Sequence, residues 1–288
     1  MSHVVRRTPL SRLWHHGPAV LVAAGASLLL LAAPQEGTAL GVLLAVGTVQ
    51  LALVLPWSVA LGVRGYVGAA LIGAGAAAAA DLLVWRTVDD GAEGGGSIPL
   101  AVGAGLGPLA AVLALACVLS FIHQLTRRPP RRDVTDSLGG VSLLAVSVVA
   151  PSMYVLLFWL PDGPALLDTC VAAIGAAVVT GHLVDLLVPY PRIVEGVPRG
   201  LLGFVLGTGA AMLVAVRRAQ VDGLVEQLGA VILGGVLGGL ACLIAIGASY
   251  AAAERRGVIL AQGVVQGVLP FALGAPVGYL MSILVGGQ

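Results

Sequence analysis

The sequence predicts an all-α protein, a polytopic transmembrane helix bundle of about nine spans with a cytoplasmic N-terminus. Three observations carry that expectation. Charged residues are only 10% of the chain and hydrophobic residues 58%, with a mean hydropathy of +1.01. A soluble domain carries roughly 25% charged residues, so this chain cannot cover its own surface with polar groups. Apolar runs long enough to cross a hydrocarbon core recur along the chain with almost no charge inside them. Finally, the arginines gather in alternate connecting segments, the bias that sets membrane orientation. This composition excludes a soluble enzyme, a nucleic-acid-binding module, a disulfide scaffold and a disordered chain.

Residues 1–16 read as a basic cytoplasmic tail, with Arg6, Arg7, Arg12, His3, His15 and His16. The apolar run 17–33 follows. Its layout suits a signal peptide, but more runs follow and no clear cleavage site appears, so it is the first span. Runs at 39–63, 65–85, 98–122, 137–160, 167–189, 200–216, 227–250 and 258–287 complete a single integral membrane domain over 17–288. Pro56 interrupts the second run, and Pro270 and Pro276 interrupt the last. Such prolines are tolerated where neighbours re-satisfy the freed backbone groups. The last run is 30 residues long, against ~20 for one span, so a kinked helix and a helix plus a re-entrant piece both fit.

With the N-terminus inside, 12 of the 15 arginines fall on inside segments, leaving Arg86, Arg217 and Arg218 outside. There is no lysine, and Ala, Gly, Val and Leu dominate, the usage of a GC-rich genome. The expected location is the inner or plasma membrane of a bacterial cell. A net charge of +1 points to no nucleic acid or other polyanionic partner. The partners expected are the phospholipid bilayer, with anionic lipid at the inside Arg clusters, and a membrane protein. The strongest such cluster, Arg127, Arg128, Arg131 and Arg132, would hold its loop on the leaflet at about 1 kcal/mol per arginine.

Few residues offer chemistry. Cys117, Cys170 and Cys242 are scattered in apolar runs, which suits buried small hydrophobes better than a disulfide or a metal site. Glycines recur four apart at Gly103/Gly107, Gly203/Gly207, Gly234/Gly238, Gly235/Gly239 and Gly263/Gly267. This spacing lets helices approach closely, and the doubled pair at 234–239 is the best candidate, although a glycine-rich chain produces such pairs by chance. Ionisable residues inside a membrane are costly and mark function. Asp81 and Asp168 lie near span ends, within reach of the interface. His182 and Asp185 are three apart and share a helical face, as a proton relay, a cation grip or a hydrogen-bonded pair at the boundary. The loop 189–200 holds Arg192, Glu195 and Arg199 among three prolines and cannot be a regular helix. With Asp185 and with Arg255 and Arg256 from another inside loop, it reads as a mixed-charge patch at headgroup level. Arginine binds phosphate bidentately, so a phospholipid headgroup is a fitting guest, while inside arginines also serve orientation alone. No catalytic residue, cofactor site or metal site is expected: nucleophile–base pairs, HExxH and GxSxG are absent.

The stretch Arg132-Asp133-Val134-Thr135-Asp136, the Pro-Asp-Gly at 161–163, the Pro/Gly loop after the sixth span, and Arg255-Arg256-Gly257-Val258 with Val268-Leu269-Pro270 and Ala275-Pro276-Val277 resemble bacterial phosphatidate cytidylyltransferase (CDP-diacylglycerol synthase) over about 130–285. Nine spans would suit that family. Its Ser-Pro-Lys-Lys type stretch is replaced here by Glu195-Gly196-Val197-Pro198-Arg199-Gly200, and its C-terminal His-Gly-Gly and Asp-Arg-x-Asp signature by Leu260-Ala261-Gln262-Gly263-Val264-Val265-Gln266-Gly267. No Asp or Glu follows Glu254, and magnesium requires carboxylate or phosphate oxygens. The resemblance thus implies a degenerate, non-catalytic relative that holds lipid or serves as an assembly subunit. Two other readings stay open: a transporter or flippase for a lipid or small solute, and a membrane enzyme using Asp185, Arg192, Glu195 and Arg199 on lipid-linked substrates.

Overall fold

A computed structural model describes residues 9–36, 38–93, 102–128, 133–194, 197–219, 223–254 and 258–286. Its helices are α1 (Pro9–Ala32), α2 (Ala39–Leu61), α3 (Tyr66–Glu93), α4 (Val102–Thr126), α5 (Val134–Val149), α6 (Met153–Phe158), α7 (Gly163–Leu187), α8 (Leu201–Ala219), α9 (Leu224–Glu254) and α10 (Ile259–Gly286). A 3₁₀ turn at Ala150–Ser152 joins α5 to α6, and the two make one span. Nine candidate spans result among the described residues, which are all-α apart from an isolated bridge between Arg192 and Gly200. Short connections force successive spans to alternate in direction. One end of the bundle therefore gathers the start of α1, the α2–α3, α4–α5 and α7–α8 connections, and the end of α9. We call it the Arg-rich end.

The boundaries follow local chemistry. Thr38 caps α2 by accepting from the Gly41 amide at 3.2 Å, and α2 ends where Gly62 turns left-handed at φ 62°. Helix α1 begins eight residues ahead of the apolar run, at Pro9, a residue whose fixed φ suits a first helical turn. Arg12, His15 and His16 are thus on a helix rather than in a tail.

Helix α10 lies centrally, packing on α1, α2, α7 and α9, and also touching α5 and α6. The α5–α6 span is the most enclosed, and α4 and α8 are the most lipid-facing. Close approach depends on a subset of the glycines. A Cβ on Gly234 would sit 2.7 Å from the Ala211 carbonyl and the Met212 Cα of α8, and one on Gly238 would sit 2.5 Å from the Ala211 Cβ. A Cβ on Gly267 would sit 2.8 Å from the Ala19 carbonyl of α1. Gly107 and Gly239 face open space, so spacing alone does not select the contacts.

The prolines correct one expectation. Helix α2 runs unbroken through Pro56, and α10 is one helix through Pro270 and Pro276. Beside the weakened turn of α10, the Tyr154 hydroxyl donates to the Phe271 carbonyl at 2.9 Å. The break occurs instead at Pro151, where Gln50 Nε2 draws the Val148 carbonyl into a hydrogen bond of 2.9 Å. A proline leaves one carbonyl without its helical donor. Here the helix tightens into a 3₁₀ turn, and an outside donor takes a second carbonyl in the same turn.

Candidate functional site

At the Arg-rich end, α1, α7 and the segment leading into α8 meet in a buried polar cluster. Arg12 and His16 are one helical turn apart on α1, and His182 and Asp185 are three residues apart on α7, so each pair shares a face. The α7–α8 connection folds back on itself: the Ile193 amide donates to the Arg199 carbonyl at 3.1 Å and the Leu201 amide to the Pro191 carbonyl at 2.9 Å. This places Arg199 and Gly200 over the end of α7. Arg199 then donates from a terminal guanidinium nitrogen to Asp185 Oδ2 at 3.0 Å, and the Gly200 amide donates to Oδ1 at 2.9 Å. Arg199 and Asp185 are both 2% exposed. Gly203 lets the carboxylate in, since a Cβ there would lie 2.3 Å from Oδ1. Burial pulls the Arg199 guanidinium below its ordinary pKa, and the Asp185 carboxylate opposes that pull.

The histidines form the other half. His16 and His182 are fully buried, with their Nδ1 atoms 3.0 Å apart. One ring must donate and the other accept. The accepting ring, when neutral, carries its proton on Nε2, so at least one Nε2–H points away from the link. The Nε2 of His182 has no hydrogen-bond partner among the described residues, and the same holds for the buried Nε atoms of Arg199 and Arg12, whereas His16 is turned toward the Pro198 backbone carbonyl. His15 packs edge-on against His16 with ring centroids 4.9 Å apart. Among the described residues Asp185 is paired with Arg199, and Arg12, one turn from His16 on α1, brings a further positive charge to the cluster. Buried nitrogens without partners and a further cation make an environment for an anion with several acceptor oxygens.

His182 and Asp185 do not pair with each other: each reaches a different partner across the same cleft. Arg192 stacks its guanidinium over Tyr190 at 4.9 Å rather than meeting Asp185. Glu195, Arg255 and Arg256 lie outside the described residues. His16 and Arg12 precede the apolar run, so the sequence places them in the tail and not in the site. Their i, i+4 spacing was the available signal.

Two further polar features sit elsewhere. Asp168 meets Arg218 at 3.0 Å at the opposite end of the bundle. Asp81, expected to reach the interface, instead turns into the bundle: its Oδ1 accepts from Ser152 Oγ at 2.6 Å and from Gln50 Nε2 at 3.0 Å. An apolar cavity of about 340 Å³ lies between α2, α5, α9 and α10, walled by Trp57, Leu61, Leu143, Ile244, Val265 and Leu269. It occupies the Arg-rich half of the bundle, across α10 from α1. Among the described residues, no three His, Cys, Asp or Glu side chains group closely enough to hold a metal ion. Comparison with family models, with curated proteins and with solved structures gave no match for this chain.

Proposed function

We propose that this multi-pass membrane protein binds an anionic phospholipid by its headgroup at the Arg-rich end and does so without catalysing a reaction on it. The observation that carries this reading is the pair of buried, unpartnered nitrogens on His182 and Arg199, with the Arg12 guanidinium on the neighbouring helix adding positive charge. Phosphate offers the acceptor oxygens that imidazole N–H and guanidinium groups require. The non-catalytic part rests on composition: no Asp or Glu follows Glu254 to hold magnesium against a nucleotide.

Native mass spectrometry of the full chain, released from its own membrane into mild detergent, tests the reading. A phospholipid retained by the wild type and by Arg64→Gln, but lost from His16→Ala and His182→Gln variants that still melt cooperatively, is the expected result. Equal retention by all four would remove the headgroup site. A stoichiometric second protein without lipid would favour an assembly subunit, and turnover of phosphatidate dependent on CTP and Mg²⁺ would overturn the non-catalytic reading. A flippase or transporter is the second reading, favoured by the polar cluster of Asp81, Gln50 and Ser152 inside the spans, since ionisable groups at that depth mark pathways. Its sign would be faster crossing of labelled phospholipid in vesicles containing the protein than in protein-free vesicles.

A further inference from the structure

We propose that Asp81, Ser152, Gln50 and the Val148 carbonyl form a site for one monovalent cation, a sodium-sized ion or a proton, inside the membrane-spanning bundle. The site lies on α2, α3 and the α5–α6 break, apart from the histidine cluster, and stands independently of the lipid reading.

Depth comes first. Gln50 sits at the middle of the span Ala39–Leu61 and is 2% exposed, and Ser152 is fully buried. Asp81 is six residues short of Thr87, where its span ends, or about 9 Å at 1.5 Å per residue. A carboxylate this deep requires a compensating positive charge or a proton. Its partners among the described residues are an amide and a hydroxyl, both neutral, and no ion pair reaches it. The nearest charge on its own helix, Arg86, is exposed five residues further on. From the facing elements, the Tyr154 hydroxyl is already engaged with the Phe271 carbonyl.

The oxygens converge. Gln50 Nε2 lies 3.0 Å from Asp81 Oδ1, 2.9 Å from the Val148 carbonyl and 3.2 Å from Ser152 Oγ. An amide NH₂ has two protons for these three oxygens. The nitrogen therefore occupies the point where a cation would meet three oxygen ligands. A cation takes that point when the amide swings out of it, leaving Asp81 Oδ1, the Val148 carbonyl and Ser152 Oγ as its ligands. Three oxygens facing one another repel unless a positive charge lies between them, so the Gln50 side-chain conformation follows occupancy. The Val148 carbonyl, at the 3₁₀ turn that Pro151 introduces, already accepts from outside its own helix and so is available to the site. Charge sets the valence: one carboxylate neutralises a monovalent ion, whereas a divalent ion would leave a net charge within the bilayer. All-oxygen ligands select a hard cation.

The test uses the full chain in mild detergent, melted in choline chloride and in NaCl at constant ionic strength, with parallel labelling by a hydrophobic carbodiimide. A protonated carboxyl adds across one C=N bond of that reagent, its proton passing to nitrogen, and rearranges to a stable N-acylurea with no leaving group. For a sodium-sized ion, NaCl raises the melting temperature of wild type and Arg64→Gln over choline chloride and shields Asp81 from labelling. Asp81→Asn loses both effects. Ser152→Ala keeps the charge and weakens the apparent sodium affinity by about ten-fold, the worth of one lost ligand contact. For a proton, Asp81 is labelled equally in both salts and Asp81→Asn is not. The proposal fails if wild type shows neither a sodium-specific shift nor labelling at Asp81, or if folded Asp81→Asn responds to sodium as wild type does.

Discussion

The Asp185–Arg199 pair shows what a buried charge costs and what returns it. Taking both groups from water is unfavourable, and their attraction offsets this only because the Gly200 amide also satisfies the carboxylate. Removing one partner strands the other. Asp185→Leu and Arg199→Leu are each expected to destabilise the protein by about 3–5 kcal/mol. The double variant should be milder than either single one, retaining mainly the loss of an acceptor for the Gly200 amide, about 1–3 kcal/mol. Denaturant or thermal melting in detergent reads this directly, and singles that sum to the double would show that the two side chains do not act as a pair. Pro191, Pro198 and Gly200 shape the described parts of the α7–α8 connection that carry Arg199 onto the end of α7.

Among elements, the α8–α9 contact is the sharpest case of small residues standing in for hydrophobic drive. Gly234→Val would press a branched side chain onto the Ala211 carbonyl and Met212 Cα, which are backbone and cannot swing away. Loss of about 1–3 kcal/mol is expected. Gly239→Val, into open space, should stay within about 0.5 kcal/mol of wild type. Melting temperatures of the two variants separate packing from glycine content, and equal effects would refute the contact. Four-residue spacing made both pairs visible in the sequence, but it does not say which face of α9 meets α8. The same limit explains the prolines. Pro56, Pro270 and Pro151 look alike in a string of apolar residues. What accompanies the 3₁₀ turn at the last alone is Gln50, a donor 98 residues away, which no local pattern records. His16 was hidden for the opposite reason: its neighbours Arg12 and His15 read as a solvated tail, whereas a helix beginning at Pro9 turns them inward. Span number and the Asp185–Arg199 neighbourhood were legible because apolar length and loop charge are local properties. The partners were not, because tertiary contact decides them.

Across the whole molecule, orientation decides which leaflet the histidine cluster meets. An odd number of spans puts the two ends of the described chain on opposite faces, and 12 of 15 arginines fall on one of them. That face holds the exposed Arg64–Asp133 pair and the buried Asp185–Arg199 pair, while Arg218–Asp168 marks the other. If the arginine bias orients the chain, the Arg-rich end faces the cytoplasm. Single cysteines at Tyr66→Cys and Tyr190→Cys should then stay unlabelled by an impermeant maleimide in intact cells and react once the membrane is opened. Pro161→Cys, at the other end, should react at once. The native Cys170 and Cys242 are buried and give little background, and Cys117 can be replaced by serine. Labelling of Tyr66→Cys and Tyr190→Cys alone would invert the protein. The inversion would carry functional weight, because anionic phospholipid is concentrated in the cytoplasmic leaflet. A cluster built from Arg12, His16, His182 and Arg199 would then face the leaflet poorest in its proposed ligand, and the lipid reading would fall with the topology.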